Sequence, residues 1–467
     1  MSAAQGAVGG RKATVDMTNG SIVRHIIMFA IPLFAGNLFQ MFYNMVDTWV
    51  VGNFVSDAAF SAVGTTGTVT NLMIGFFTGF STGSGIVISQ FFGAGNNDRV
   101  RASVHTAAAL TLILSAAFTV LGLLLLPLFI WMLNMPGNVA AEANTYLLIW
   151  MLGISGLMIY NMCAAIMRAV GDSRRPFIYL VVSALTNIVL DLVFVLVLGM
   201  GVAGVSLATV IAQFLSAILA VIHLLRTESV VKIVPKELKL DMPLLQRIAR
   251  ISFPTALQMA ITSISNMFVH SYINAFGEFA MGGYTAYTKI DHLLILPMQS
   301  IGLAVSTFVG QNVGKGEYKR ANLDAHVAFA LSLGSTLLFM TPVLLFPEFL
   351  VRIFNSNPEI IRYGSMFLTS ITPYYLFWTV NQSYAGALRG SGKTLVAMLI
   401  MLFSFVVFRQ IYLFIVTNFF SADILTVVSA FPIGWILAAV LSLVYFFAVG
   451  LKPKQKKTED KTEEISA

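Results

Sequence analysis

Apolar residues run along this chain in long unbroken stretches, and charged residues gather in the gaps between them. Twelve stretches reach about 20 residues or more, the length a helix needs to cross the hydrocarbon of a bilayer. They cover about 24 to 51, 58 to 90, 102 to 133, 139 to 168, 176 to 199, 203 to 225, 245 to 276, 279 to 312, 321 to 346, 358 to 389, 394 to 420 and 424 to 450. Runs this long, without the alternation of a barrel strand, predict helices. The expected fold class is therefore all-α integral membrane. Residues 1–21, MSAAQGAVGGRKATVDMTNGS, lack the short apolar core and cleavage site of a signal peptide, so the first stretch is expected to be a retained helix.

The pattern is written twice. A shift of 221 or 222 positions brings Pro32 onto Pro254, Asn44-Met45 onto Asn266-Met267, and Gln90, Gly93, Gly95 and Arg99 onto Gln311, Gly314, Gly316 and Arg320. Arg168 and Gly171 likewise meet Arg389 and Gly392. Six spans per copy is an even number, so both copies enter from the same side and form a parallel repeat. The expected organisation is an N-terminal segment (1–21), a first lobe (22–226), a charged linker with two prolines (227–243), a second lobe (244–450) and a charged tail (451–467) without core-forming residues. Two six-helix lobes are suited to alternating access.

Composition agrees: 57% of residues are hydrophobic and 10% charged, against roughly 25% charged in an ordinary soluble domain, which excludes a single aqueous globule. With an inside N-terminus and alternating spans, Lys and Arg fall overwhelmingly on the inner side. Arg352 and Arg362 fall outside, and Lys289 and Arg409 within spans. The positive-inside rule then predicts that both termini are cytoplasmic and that the chain is multi-pass in the cell membrane. The net charge of +7 is thus a topology signal, and nucleic acid, which would need a basic face on a folded soluble domain, is not an expected partner. Cys163 is the sole cysteine, which excludes an intramolecular disulfide and a cysteine-based metal cluster.

Two acids stand out, Asp47 in FQMFYNMVDTWVVG and Asp191 in ALTNIVLDLVFVLVLG. A carboxylate in a bilayer span faces a protein interior or a water-filled cavity, and marks an ion or substrate path. At a helix rise of ~1.5 Å per residue, Asp191 lies roughly 24 Å beyond Arg175 and Asp47 about 35 Å beyond Arg24, both in the outer half. Asn187 precedes Asp191 by one turn, Gln40 precedes Asp47 by two, and Thr209 comes to a similar depth on the sixth span. Two carboxylates with carboxamide and hydroxyl oxygens suit a proton or a hard cation, so Na⁺ at Asp47, Asn187, Asp191 and Thr209 is one expectation. The plainer alternative is that each acid caps a helix end or a backbone break.

The second lobe carries His270, Lys289, Asp291, His292 and Arg409. The expectation for Lys289 and Asp291 is a buried ion-pair network, with Asp291 the member able to attract a cation. ALRGSGKT at 387–394 fits a relaxed phosphate-loop pattern, but both flanks are membrane spans, so a helix-ending Gly with basic residues is the better reading. Gly75, Gly79 and Gly83 predict close helix packing. Neither a zinc-binding His-Glu-x-x-His pattern nor a nucleophile elbow is present, so no enzyme activity and no cofactor is expected.

The opening NGSIVRHIIMFAIP, YNMVDTWVVG, the paired SQFFGAG and GQNVGKG loops, the paired RAVGDS and RGSGKT loops, and NIVLDLVFVLVLGMGVAGVSLATVIAQ together resemble the multidrug and toxic compound extrusion (MATE) family, in its DinF-like and MepA-like branch. The resemblance covers nearly all of residues 18 to 450. It implies a twelve-helix secondary antiporter that expels organic, often cationic and lipophilic compounds in exchange for inward H⁺ or Na⁺. It also implies that Asp47 and Asp191 form the coupling-ion site, supported by Asn187, Thr209 and Gln40 and more weakly by Tyr146. The NorM-like branch places acids in the seventh and tenth spans, and this chain has none in their buried parts. The expected partners are drug-like molecules and the lipid bilayer, and the expected state is a monomer. The runner-up function is a lipid or lipid-linked-oligosaccharide flippase, which would need basic residues along the central cavity to receive phosphate groups; in this sequence only Lys289 and Arg409 could serve.

Overall fold

A computed structural model of the chain describes residues 15–133, 135–420 and 423–452. The expected N-terminal segment up to residue 14 and nearly all of the expected tail lie outside the described residues. Among the described residues there is no strand, and the helices follow the hydropathy pattern closely. The first lobe consists of α1 (Ile22–Phe54), α2 (Asp57–Gly93), α3 (Asn97–Leu133), α4 (Gly137–Ala169), α5 (Arg174–Val197) and α6 (Gly201–Arg226). The second consists of α7 (Met242–Asn274), α8 (Glu278–Lys315), α9 (Tyr318–Leu345), α10 (Pro358–Ile371 continued by Tyr375–Gly390), α11 (Thr394–Phe419) and α12 (Ile424–Val449). A short helix, Pro347–Arg352, precedes α10.

Ten of these helices are long and apolar enough to cross a membrane. The remaining two are α7, which turns Gln258, Thr262, Asn266 and His270 to a central cavity, and α10, which a 3₁₀ turn at Thr372–Tyr374 interrupts at Pro373. Side chains satisfy the orphan amides at several helix starts: Ser56 accepts from the Ala59 N–H (3.1 Å) and Asp241 from that of Leu244 (3.1 Å). The segment between the lobes docks on the first lobe through buried Val231 and Ile233 and an Arg101–Glu237 ion pair of 2.7 Å.

The lobes meet on the side where this linker lies. Gly79 and Gly83 of α2 lie against the backbone of Thr255, Ala256 and Ser252 in α7, so that a Cβ at either glycine would overlap main-chain atoms. The expected close packing is thus packing between lobes. Farther toward the linker side, α2 and α8 cross reciprocally. A Cβ on Gly93 would overlap the carbonyl of Gln311, and one on Gly314 the carbonyl of Gln90. The two glutamines form matching latches: Gln90 Nε2 donates to the carbonyl of Gly390 and Gln311 Nε2 to that of Ala169, each at 2.9 Å. Each donor and each acceptor is related to its counterpart by the 221-residue shift.

Residues 15–20 strap the same seam. The Val15 N–H donates to Val170 of the first lobe (3.0 Å), while the Met17 N–H donates to Gln311 Oε1 (3.0 Å) and the Arg320 guanidinium to the carbonyl of Gly20 (2.9 Å).

Candidate functional site

α1 carries Asp47 seven residues before its end, α5 carries Asn187 and Asp191 one turn apart, and α6 carries Thr209. All four side chains are buried, Asp191 to 0% exposure, and all lie in the half of the first lobe away from the linker. The Asp47 carboxyl reaches the carboxyl of Asp191 and the hydroxyl of Thr209; the same hydroxyl lies 3.1 Å from the Val205 carbonyl. Around them pack Val50, Val51, Val195, Val202 and Val205. Immediately after Asp191, α5 widens into π geometry over Val193–Val197, a feature that concentrates at functional sites.

This cluster is short of partners. Asp47 Oδ1, both carboxyl oxygens of Asp191 and both polar atoms of Asn187 are buried without a hydrogen bond among the described residues. Two ionised carboxylates are both acceptors, so facing one another they make no bond until a proton or a cation comes between them. Leaving one buried polar atom unmet costs about 1–3 kcal/mol. The oxygen set fits a shared proton, and it also fits a monovalent metal ion of oxygen preference.

Gln40 stands apart from the acids: it lines the central cavity and hydrogen-bonds with Tyr43. Tyr43 lies one turn before Asp47 and shares both surroundings, for it borders the cavity and feels the charge of Asp47. The sequence reading missed it, although the four-residue spacing to Asp47 places it on the same helix face. Tyr146 of α4 also lies within electrostatic reach of Asp47 and Asp191.

Among the described residues, the expected ion-pair network around Lys289 and Asp291 does not form. Residues two apart on a helix point about 200° away from each other, so Lys289 is exposed and off the cavity wall while Asp291 faces the cavity. Among the described residues neither has an ion-pair partner. Asp291 accepts instead from the Tyr287 hydroxyl (3.2 Å), which lies 3.4 Å from that of Tyr375. Arg409, 1% exposed, donates to Asn266 Oδ1 (2.8 Å), with the rings of Phe405 and Phe431 within 5.2 Å of its guanidinium carbon. Asp291 and Arg409 are held by hydrogen bonds and ring faces instead of opposite charges.

Between the lobes lies a cavity of about 620 Å³, walled by Tyr284, Tyr287, Trp378, Phe405, Phe431 and Trp435 on the second-lobe side. Its volume suits a drug-sized molecule. Its positive charges are not the expected ones. Lys289 contributes nothing, while Arg168 and Arg389, assigned on sequence to the inner surface, line it together with Arg409. The last turns of α4 and α10 end beneath the cavity, and this brings both arginines inward.

The MatE family model matches the chain twice, over residues 32–193 and 254–415. The chain is 28% identical to the probable multidrug resistance protein YpnP of Bacillus subtilis over 87% of its own length and 90% of that protein's. With the probable multidrug resistance protein NorM of Thermotoga maritima it shares 27% identity over 95% and 96%. The solved structure of a MOP superfamily transporter from Pyrococcus furiosus superposes with a TM-score of 0.88, covering 94% of this chain and 98% of that one at 20% identity. The two matched stretches are the repeat read from the sequence, and the twelve-helix, two-lobe fold is that of the solved transporters. The chain belongs to the MatE family, as a membrane transporter and not an enzyme.

Proposed function

We propose that this protein is a multidrug exporter of the cell membrane that expels amphiphilic organic compounds in exchange for an inward monovalent cation, with Asp47 and Asp191 as the coupling site. The observation that carries this reading is the buried pair of facing carboxyls with unmet oxygens, close to the substrate-sized cavity but not part of its wall. With the linker side taken as cytoplasmic, as the Lys and Arg distribution suggests, the latched seam closes the cavity from the inside and the acids sit in the outer half. An ion entering from outside binds between the carboxyls and removes their mutual repulsion. α1 and α5 then pack more closely, and Tyr43 and Gln40 carry the change to the cavity wall, where it displaces the substrate. Ion and substrate need no common ligand, because coupling requires only that each favour a different state.

Facing carboxyls favour H⁺ over Na⁺, since a shared proton satisfies both at once without further ligands. Asp291, with the phenols and indoles around it, offers a cation-attracting surface for positively charged aromatic substrates. The names of the relatives support drug export over lipid flipping. The test is ethidium efflux from proteoliposomes under an imposed pH gradient and, separately, an imposed sodium gradient. Efflux driven by the pH gradient alone supports the proton reading, and drive by sodium alone replaces it. Efflux indifferent to both gradients overturns ion coupling.

A further inference from the structure

Three arginines line the central cavity, but they are not equally provided for. Arg409 has Asn266 and two ring faces. Arg168 and Arg389 have no ion pair, no side-chain hydrogen bond and no ring face among the described residues, although Arg389 is only 8% exposed. Guanidinium stays protonated in proteins, so its charge is not shed on burial. A buried charge without a counter-charge costs several kcal/mol, so such a group is kept where a partner is supplied from elsewhere. Among the described residues the cavity wall holds one carboxylate, Asp291, against the three guanidiniums. Asp291 lies 24 residues from the linker-side end of α8, roughly 36 Å along the helix, while Arg168 and Arg389 sit in the last turns at that end. It cannot neutralise them.

Their placement is built by the fold. The 221-residue shift relates the two positions, so they form a pseudo-symmetric pair, one from each lobe. The residue after each arginine, Ala169 or Gly390, is gripped at its carbonyl by the glutamine latch of the opposite lobe.

We propose that Arg168 and Arg389 form an anion subsite at the linker-side end of the cavity, which takes the carboxylate or phosphate of an amphiphilic substrate. This rests on the reading of the cavity as the substrate cavity, and it extends the substrate class from cations to zwitterions and organic anions. The planar guanidinium fork matches carboxylate and phosphate geometry, and the aromatic wall beyond it receives the apolar body. Because the arginines come from different lobes, an anion held there also favours the latched state of the seam.

The experiment uses the full chain, purified in nanodiscs, and a matched pair of probes: rhodamine B, which carries a free carboxylate, and its ethyl ester, which does not. Binding is followed by fluorescence polarisation. Arg168→Gln and Arg389→Gln are each expected to weaken rhodamine B about tenfold and to move the ester far less, with Arg389→Lys intermediate for the acid. Inorganic phosphate is expected to displace rhodamine B, but not the ester, from the unaltered protein, an arm that needs no variant to fold. Displacement by phosphatidic acid but not by phosphatidylcholine or a soluble aromatic carboxylate would identify the anion as a lipid headgroup. Equal shifts for acid and ester, or no displacement by any anion, would overturn the proposal. Gradient-driven efflux of the ester tests the exporter reading separately, so the two can fail independently.

Discussion

Where the first lobe holds Asp47 the second holds Val269, and where the first holds Asp191 the second holds Tyr412. Val269 is fully buried in the apolar core. The Tyr412 hydroxyl is satisfied by Ser429 Oγ (2.6 Å) and accepted by the Thr426 carbonyl (3.1 Å). At these two equivalent places on one scaffold, the second lobe leaves no polar atom unmet, while the first leaves both oxygens of Asp191 unmet. The scaffold therefore does not need the acids. A buried carboxylate pair that the fold can do without is a cost to stability, and its natural return is a ligand, here the coupling ion.

The largest effect should come from the pair itself. Asp191→Asn is expected to reduce gradient-driven dye efflux in proteoliposomes more than tenfold, while Tyr412→Phe at the matching site reduces it less than twofold. Thermal unfolding should show Asp191→Asn to be no less stable than the parent, because the change removes a charge without a partner. Similar losses of transport in both variants would erase the distinction between the lobes.

An intermediate effect is expected at the seam, where the lobes should behave alike. Gly93→Ala and Gly314→Ala each push a methyl into a glutamine carbonyl of the opposite lobe. Both should lower efflux severalfold and raise maleimide labelling of Ser306→Cys from the linker side. Gly75→Ala, whose Cβ would find an ordinary 3.6 Å contact with Met259, should do little. A marked inequality between Gly93→Ala and Gly314→Ala would show that the repeat is not functionally symmetric there.

The smallest effect concerns the strap ahead of α1. Burial alone would raise the carboxyl of Asp16, but hydrogen bonds from the Thr18 amide (2.8 Å), the Thr18 hydroxyl (2.6 Å) and Asn19 (2.9 Å) prevail and hold it below the usual aspartate range. A depressed folded value means stabilisation that is present above the unfolded value and lost as the pH falls through the folded one. Asp16→Asn should therefore lower the melting temperature by about 1 °C or less at neutral pH, since the group is exposed and the chain is long. The difference should fade as the pH drops below about 3.9 and through the lower folded value.

Much of this was legible in the sequence because it depends on local composition. Span positions follow from runs of apolar residues, and the repeat from punctuation such as Gln90 and Gln311. The depth of Asp47, Asn187, Asp191 and Thr209 follows from residue counts along helices of fixed rise. Rotation about the helix axis was harder. Lys289 and Asp291 share a depth but not a face, and the expected ion pair failed for that reason. Gln40 shares a helix with Asp47 but turns toward the cavity, and Tyr43, unremarked in the sequence, stands between them.

The sequence by itself determined how many helices there are, their order, and which lobe carries the acids, since these are properties of single segments and of a count along the chain. Only the tertiary structure decided which polar groups have partners. Whether Asp191 is unmet, Arg409 held by Asn266 and two rings, or Arg168 and Arg389 turned inward without a counter-charge depends on helices that are distant in sequence. Pairing energy in a low-dielectric interior is fixed by contact over a few ångströms, and no one-dimensional pattern records it.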